Sequence, residues 1–236
     1  MSRSTWERRI ERAGELAIDY PAAAEILRFY QEIARFQKGL EDTATPAHME
    51  RLLTLVESQG PASLVEAASN LRRDPNGQQA ILEDRAAGPI GIFFARVLRQ
   101  PAAERAVARA AIPAGVTRNT CPYCGGRPVT AILRPEGEGG KRGLLCSLCF
   151  TEWEFRRVLC PNCGEEDHQK LPVYKANEFP HVRVEACDTC RHYIKAIDLT
   201  VNGLAVPEVD ELAAVPLDLW AQENDYVKLQ TNILGI

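Results

Sequence analysis

All eight cysteines of this 236-residue chain fall into four C-x-x-C pairs: Cys121/Cys124, Cys146/Cys149, Cys160/Cys163 and Cys187/Cys190. A structural disulfide ordinarily links distant segments, whereas a pair three positions apart sets two sulfurs on one side of a tight turn. In a reducing compartment such pairing points to metal-binding thiolates. Four redox-active dithiols would each need a thioredoxin-like strand–helix setting, and no pair has one in its flanking sequence.

The pairs follow two grammars. "CPYCGG" and "CPNCGE" share C-P-x-C-G, while "CSLC" and "CDTC" lack both the Pro and the Gly. The order is therefore A, B, A, B. The step from Cys121 to Cys160 nearly equals the step from Cys146 to Cys187, the mark of an internal duplication. In the A grammar, proline presets the first turn dihedral. The glycine after the second cysteine accepts a positive φ, and the turn aims backbone N–H groups at the sulfurs.

One knuckle supplies two ligands and a tetrahedral S4 site needs four, so knuckles must pair. The stretches between Cys124 and Cys146 and between Cys163 and Cys187 are similar in length. Both read as hairpins that return the chain to its starting knuckle. Phe150 to Leu159 contains no Gly, Pro, Asn or Asp and reads as one uninterrupted strand. A strand carries its ends apart by roughly 3.3 Å per residue and cannot close a site. The expected sites are Cys121, Cys124, Cys146 and Cys149, then Cys160, Cys163, Cys187 and Cys190, with an interleaved cross-brace as the alternative. Either Zn²⁺ or a rubredoxin-like single iron suits four thiolates, and a shell filled by protein leaves no position for substrate. His168, His181 and His192 are then not needed as ligands, although His192, two residues past Cys190, is expected to touch the site's surroundings.

Upstream the pattern is helical. "DYPAAAEILRFYQEIARFQKGL" carries Pro21 in a first turn and Ile26, Phe29, Tyr30, Ile33 and Leu40 along one face; "TATPAHMERLLTLVES" repeats the logic from Pro46. Shorter helices follow, broken by "RRDPNG", and one or two more surround Pro101. The first half holds no cysteine and one histidine, His48, read as a surface or core residue. "IPAGVTRNT" (Ile112 to Thr120) reads as a linker. "VPLDLWAQENDYVKL" reads as a final helix presenting Leu217, Trp220 and Val227, with Trp220 in the core. The expected fold is α+β. It has a helical domain over 1–112, rubredoxin-like or zinc-ribbon modules over 113–159 and 160–207, and a C-terminal helix and tail over 208–236.

Net charge is −4 and the isoelectric point about 5.7, without the basic stripe on which non-specific nucleic-acid binding rests. No run approaches the ~18 apolar residues of a membrane span. The charged opening "MSRSTWERRIERAGELA" has no apolar signal core, so a cytoplasmic location is expected.

"CPYCGGRPV", "LLCSLCFTEWEFRRVLCPNCGE", "VRVEACDTCRHYIKAIDL" and "DELAAVPLDLWAQENDY" together resemble the formate dehydrogenase accessory protein (FdhE) family. The segment joining two cysteine pairs carries W-E-x-x-R at Trp153, Glu154 and Arg157. The resemblance implies a cytoplasmic maturation factor, not an enzyme, that binds the catalytic subunit of a respiratory formate dehydrogenase. It also implies that the eight cysteines hold two metal ions per chain, with iron favoured and zinc the alternative, and it is compatible with a homodimer. Phe150 and Arg191 stand where rubredoxin knuckles have glycine, which argues against rubredoxin-like electron transfer. A redox carrier and a zinc-ribbon nucleic-acid binder are the competing functions.

Overall fold

The computed structural model describes residues 4–40, 43–108, 118–137 and 139–236. It divides into two compact units, Met1–Arg109 with Ile233–Gly235 and Ala110–Asn232 with Ile236. The expected boundary at 112/113 and most of the expected linker lie outside the described residues, as does Glu138.

The first unit is helical: α1 (Thr5–Asp19), α2 (Ala24–Lys38), α3 (Pro46–Gln59), α4 (Ala62–Arg72), α5 (Pro75–Leu82) and α6 (Gly88–Ala108). Helix starts are chemically marked. Ser4 and Glu7 form a reciprocal capping box on α1, and the Asp74 side chain accepts from the Gly77 amide on α5. His48 takes the place of the usual Glu in the α3 box, where its Nδ1 accepts from the Thr45 amide at 3.2 Å. Leu27, Ile33, Leu52, Leu53, Val56 and Phe94 are fully buried and form the centre of this core.

A single helix, α6, runs through Pro101. Proline has no N–H, so the carbonyl four residues earlier loses its helical partner. The buried Gln37 side chain supplies the missing donor: its Nε2 lies 3.0 Å from the Val97 carbonyl and 3.0 Å from Gln100 Oε1.

The second unit is built on one sheet ordered β3-β2-β1-β6-β5-β4. Its strands are β1 (Pro128–Glu136), β2 (Gly139–Cys146), β3 (Glu152–Glu154), β4 (Val173–Lys175), β5 (Val182–Ala186) and β6 (His192–Asp198). A short β7 (Val227–Lys228) pairs with β6. The duplication is visible in the register. In β2–β3, Gly143, Leu144 and Leu145 face Glu154, Trp153 and Glu152. In β5–β6, Val184, Glu185 and Ala186 face Lys195, Ile194 and Tyr193, the same pairs one repeat later. The halves join where β1 and β6 run parallel, from Thr130 opposite Lys195 to Leu133 opposite Asp198.

Two expectations need correcting. The linking segment is not one continuous strand: β3 spans only Glu152–Glu154, and the chain bends at Arg157 and Val158. Its counterpart β6 is flanked on both sides, whereas β3 is an edge strand with one neighbour. After the Phe155 amide bonds the Arg142 carbonyl, the Arg142 guanidinium takes the Arg156 carbonyl and draws the backbone out of the sheet. The C-terminal segment is also not one helix. It forms α7 (Pro207–Ala213) and α8 (Val215–Glu223), and Val227 belongs to β7. Pro216, in the first turn of α8, has no N–H with which to continue the α7 ladder, and the carbonyls of Glu211 and Ala214, freed at the end of α7, accept from Lys195 Nζ at 2.6 and 3.2 Å.

Candidate metal centres

The sulfurs of Cys121, Cys124, Cys146 and Cys149 lie within 4.8 Å of one another, and those of Cys160, Cys163, Cys187 and Cys190 do the same. Within the first group, Sγ separations are 3.3 Å for Cys124–Cys146, 3.5 Å for Cys121–Cys149 and 3.6 Å for Cys124–Cys149. In the second, Cys160–Cys190 and Cys163–Cys187 are each 3.7 Å apart. A tetrahedron with metal–sulfur bonds of about 2.3 Å has edges of about 3.8 Å, so four thiolates at these separations fit one tetrahedral ion. The sulfurs of a disulfide would instead lie about 2 Å apart.

Each centre is assembled from one A knuckle, a hairpin and one B knuckle: β1–β2 in the first, β4–β5 in the second. All four knuckles close the same way. The amide of the first cysteine bonds the carbonyl five residues on: Cys121 to Gly126 at 2.8 Å, Cys146 to Thr151 at 3.0 Å, Cys160 to Glu165 at 2.9 Å and Cys187 to His192 at 2.9 Å. The residue after the second cysteine is left-handed in every case, with φ of 70° at Gly125, 49° at Phe150, 80° at Gly164 and 56° at Arg191. The missing glycine in the B knuckles therefore does not change the turn. At Arg191 the side chain is tied down: its guanidinium stacks 4.0 Å from the Tyr226 ring centre and donates to the Asn224 carbonyl at 2.5 Å.

The turns aim backbone amides at sulfur. Leu148 N–H lies 3.4 Å from Cys146 Sγ and Asn162 N–H 3.4 Å from Cys160 Sγ. Further amides reach Cys124 from Gly126, Cys187 from Cys190 and Thr189, and Cys190 from His192. A Cβ on Gly126 would stand 3.1 Å from Cys146 Sγ and 3.2 Å from Cys124 Sγ, so that position has little room for a side chain. The Thr151 hydroxyl lies 3.0 Å from Cys149 Sγ. Hydrogen bonds from Cys146 and Cys149 bring the Cys124 thiol down to about 3, while the same contacts, with burial, push Cys146 up. In the second centre burial pushes Cys160 up to about 12 and also raises Cys187. Cys190 falls to about 6 despite burial, chiefly through the Asn162 side chain and the His192 amide. Without a cation the sulfurs of one cluster share protons rather than ionise together; a bound cation displaces those protons.

Cys124 and Cys163, the second cysteines of the two A knuckles, are exposed; Cys190 is half-buried and the other five are buried. His192 does touch the surroundings of the second centre, its Nδ1 lying 2.8 Å from the Cys190 carbonyl. His168 is exposed, and the buried His181 ring meets Asp210 at 2.7 Å.

Sequence reasoning missed a buried ionic network. Lys195, with no exposed side-chain surface, contacts Asp218 Oδ2 at 2.6 Å and Glu211 Oε1 at 3.0 Å. Lys228 pairs with both carboxylates, Tyr193 donates to Asp218 at 2.8 Å, and Asn232 donates to Glu211 at 2.9 Å. The signal was a charged residue inside an apolar strand, "YIKAI", together with acids on the buried face of "DELAAVPLDLW".

Comparison with known proteins agrees with this layout. Residues 120–157 match the FdhE central domain and residues 158–234 the FdhE C-terminal domain. The "Protein FdhE homolog" of Aquifex aeolicus is 41% identical over 119 residues, covering 50% of this chain and 42% of that protein. The Pseudomonas aeruginosa homologue is 34% identical over 127 residues, covering 50% and 40%. That of Shewanella oneidensis is 29% identical over 177 residues, covering 72% and 55%. The chain thus matches about half or less of the length of these relatives. The crystal structure of the FdhE protein from Pseudomonas aeruginosa shares the fold, with a TM-score of 0.75 at 24% identity over 99% of this chain and 96% of that one. On the strength of its two consecutive matched domains and the four knuckles they contain, the chain belongs to the FdhE family.

Proposed function

We propose that the chain is a cytoplasmic accessory factor that binds the catalytic subunit of a formate dehydrogenase and supports its activity, rather than an enzyme. Cys121, Cys124, Cys146 and Cys149 hold one metal ion, and Cys160, Cys163, Cys187 and Cys190 hold a second. The observation that carries this reading is the completeness of each sulfur shell: four cysteines fill each tetrahedron, leaving no position at which a metal could activate water or substrate. The ions then contribute folding free energy to a surface that grips a partner. Eight unbridged cysteines in C-x-x-C pairs are consistent with a reducing compartment.

Half-buried Glu152 and exposed Glu154 and Arg156 of the linking segment are natural candidates for that grip, but each is already engaged, with Arg134, Lys141 and Glu166 respectively. Such surface pairs are worth under about 1 kcal/mol and open easily. The test is co-purification of the chain with a formate dehydrogenase catalytic subunit. Recovery above background from cells expressing that subunit is expected, and recovery no greater than from cells lacking it would remove the reading.

A redox role retains one supporting observation. All four knuckles adopt the same left-handed corner and amide–sulfur bonding, so the B knuckles do not depart from the A knuckles in backbone. With iron bound, one electron from an external reductant would convert the ferric to the ferrous centre. A reversible voltammetric wave would support the role, and a colourless protein with two zinc ions per chain would end it.

A further inference from the structure

The second centre borders a cavity of about 70 Å³ whose wall includes Cys160 and Cys187. That volume is several times the roughly 15 Å³ that admits one water. Its charged lining is unbalanced: Arg142, Arg157 and Arg183 surround one carboxylate, Glu185. Glu185 is fully occupied by two of the three. Arg142 reaches it at 2.7 Å and Arg183 at 2.6 Å, and Arg142 also donates to the Arg156 carbonyl at 2.9 Å. Arg157 is exposed, has neither ion pair nor hydrogen bond among the described residues, and brings its Nη2 beside Gly140, where a Cβ would stand 3.1 Å away. The remaining wall is largely apolar, with Leu159, Leu171, Val173, Ile194 and Leu229.

Arg157 could be a counter-ion for the thiolates. Yet Cys160 and Cys187 take their hydrogen bonds from backbone amides of their own knuckles, and among the described residues no arginine hydrogen-bonds a sulfur of this centre. A cavity with apolar walls and one unspent guanidinium suits a group that is apolar along its length and anionic at its tip. The planar fork of arginine matches a carboxylate bidentately.

We propose that this cavity binds a carboxylate carried on a short apolar stem, with Arg157 as its ion-pair partner and the leucine, valine and isoleucine side chains as the wall for the stem. The carboxylate can come from a free short-chain acid or from the C-terminus of a protein segment ending in an aliphatic residue. The inference does not rest on the accessory reading, because the purified chain alone is tested.

The experiment is calorimetric titration of the metal-loaded protein with butyrate, with butyramide and sulfate as controls. Saturable butyrate binding with a Kd of about a millimolar is expected, weakened at least about tenfold in Arg157→Gln, with no butyramide binding and the same metal content in both proteins. A free-acid pentapeptide ending in leucine, compared with its amide, separates the sources. Binding at least tenfold tighter than butyrate identifies a protein terminus; equal or weaker binding identifies a free acid. Absent butyrate and peptide binding, binding unaffected by Arg157→Gln, or sulfate binding as tight as butyrate would overturn the proposal. So would loss of metal from Arg157→Gln, which would make the guanidinium a counter-ion.

Discussion

Phe150 and Arg191, equivalent positions one repeat apart, occupy the same left-handed corner after a C-x-x-C pair, with φ of 49° and 56°. This conformation costs a non-glycine residue roughly 1–2 kcal/mol, and β-branched side chains tolerate it worst. Replacing Phe150 or Arg191 by valine is therefore expected to lower the stability of the metal-loaded protein by about 1–2 kcal/mol relative to glycine at the same position. Urea denaturation of the two variants measures the difference. A valine as stable as the glycine would mean that the corner is not held left-handed.

The pairing of Gln37 with the Val97 carbonyl makes a second prediction. Gln37→Leu leaves that buried carbonyl unpartnered and is expected to cost about 1–3 kcal/mol. Pro101→Ala restores a backbone donor for the same carbonyl, so it should rescue Gln37→Leu while giving less in the parent protein. A double-mutant cycle read by thermal denaturation should show coupling of at least about 0.5 kcal/mol. Additive effects would separate Gln37 from the proline.

The Lys195–Glu211 network predicts a pH effect of defined sign. Burial raises the Glu211 carboxyl, but Lys195 and Lys228 outweigh it and hold it at about 2, below its ordinary 4.5. A carboxyl with a lower pKa folded than unfolded contributes stability in full above 4.5 and loses it as pH falls toward about 2. Lys228, raised by the two carboxylates against burial, contributes below 10.5 and loses that contribution above it. Lys195 is lowered by burial, so its charge costs stability below 10.5. Glu211→Gln strands two buried ammonium groups beside one carboxylate and should cost about 3–5 kcal/mol at neutral pH. Denaturation of both proteins from pH 7 downward should show the gap narrowing as pH drops below about 4.5; a constant gap would contradict the assignment.

Exposure separates the cysteines. Cys124 and Cys163 are open to solvent while their partners are buried or half-buried, so after chelation under anaerobic conditions they should be the first alkylated. Peptide mapping of a brief iodoacetamide pulse reads this directly. Uniform labelling of all eight would mean that the knuckles unfold when metal leaves.

Much of the centre was legible because turn chemistry is local. The C-P-x-C-G grammar and the repeat spacing predict where sulfurs gather, and the hairpins between them are marked by glycine, proline and length. The extent of β3 was not legible, because a strand's length depends on whether a neighbour lies on each side, and β3 is paired on one side while β6 is paired on both. Nor was the division of the C-terminal segment. Leu217 and Trp220 do carry the helical spacing of α8, but its end at Glu223 depends on β6, which takes Val227 as a strand partner. The left-handed backbone of Phe150 was hidden for a related reason: the repeat register imposes it where local preference opposes it.

The central claim is that the eight cysteines make two separate, closed metal centres. Native mass spectrometry of protein purified anaerobically tests it most directly, with Cys121→Ser and Cys160→Ser alongside. The parent chain is expected to carry two metal ions, and each variant should lose one while keeping the other. A parent chain carrying a single ion, or a mass showing disulfides in place of metal, would contradict the account.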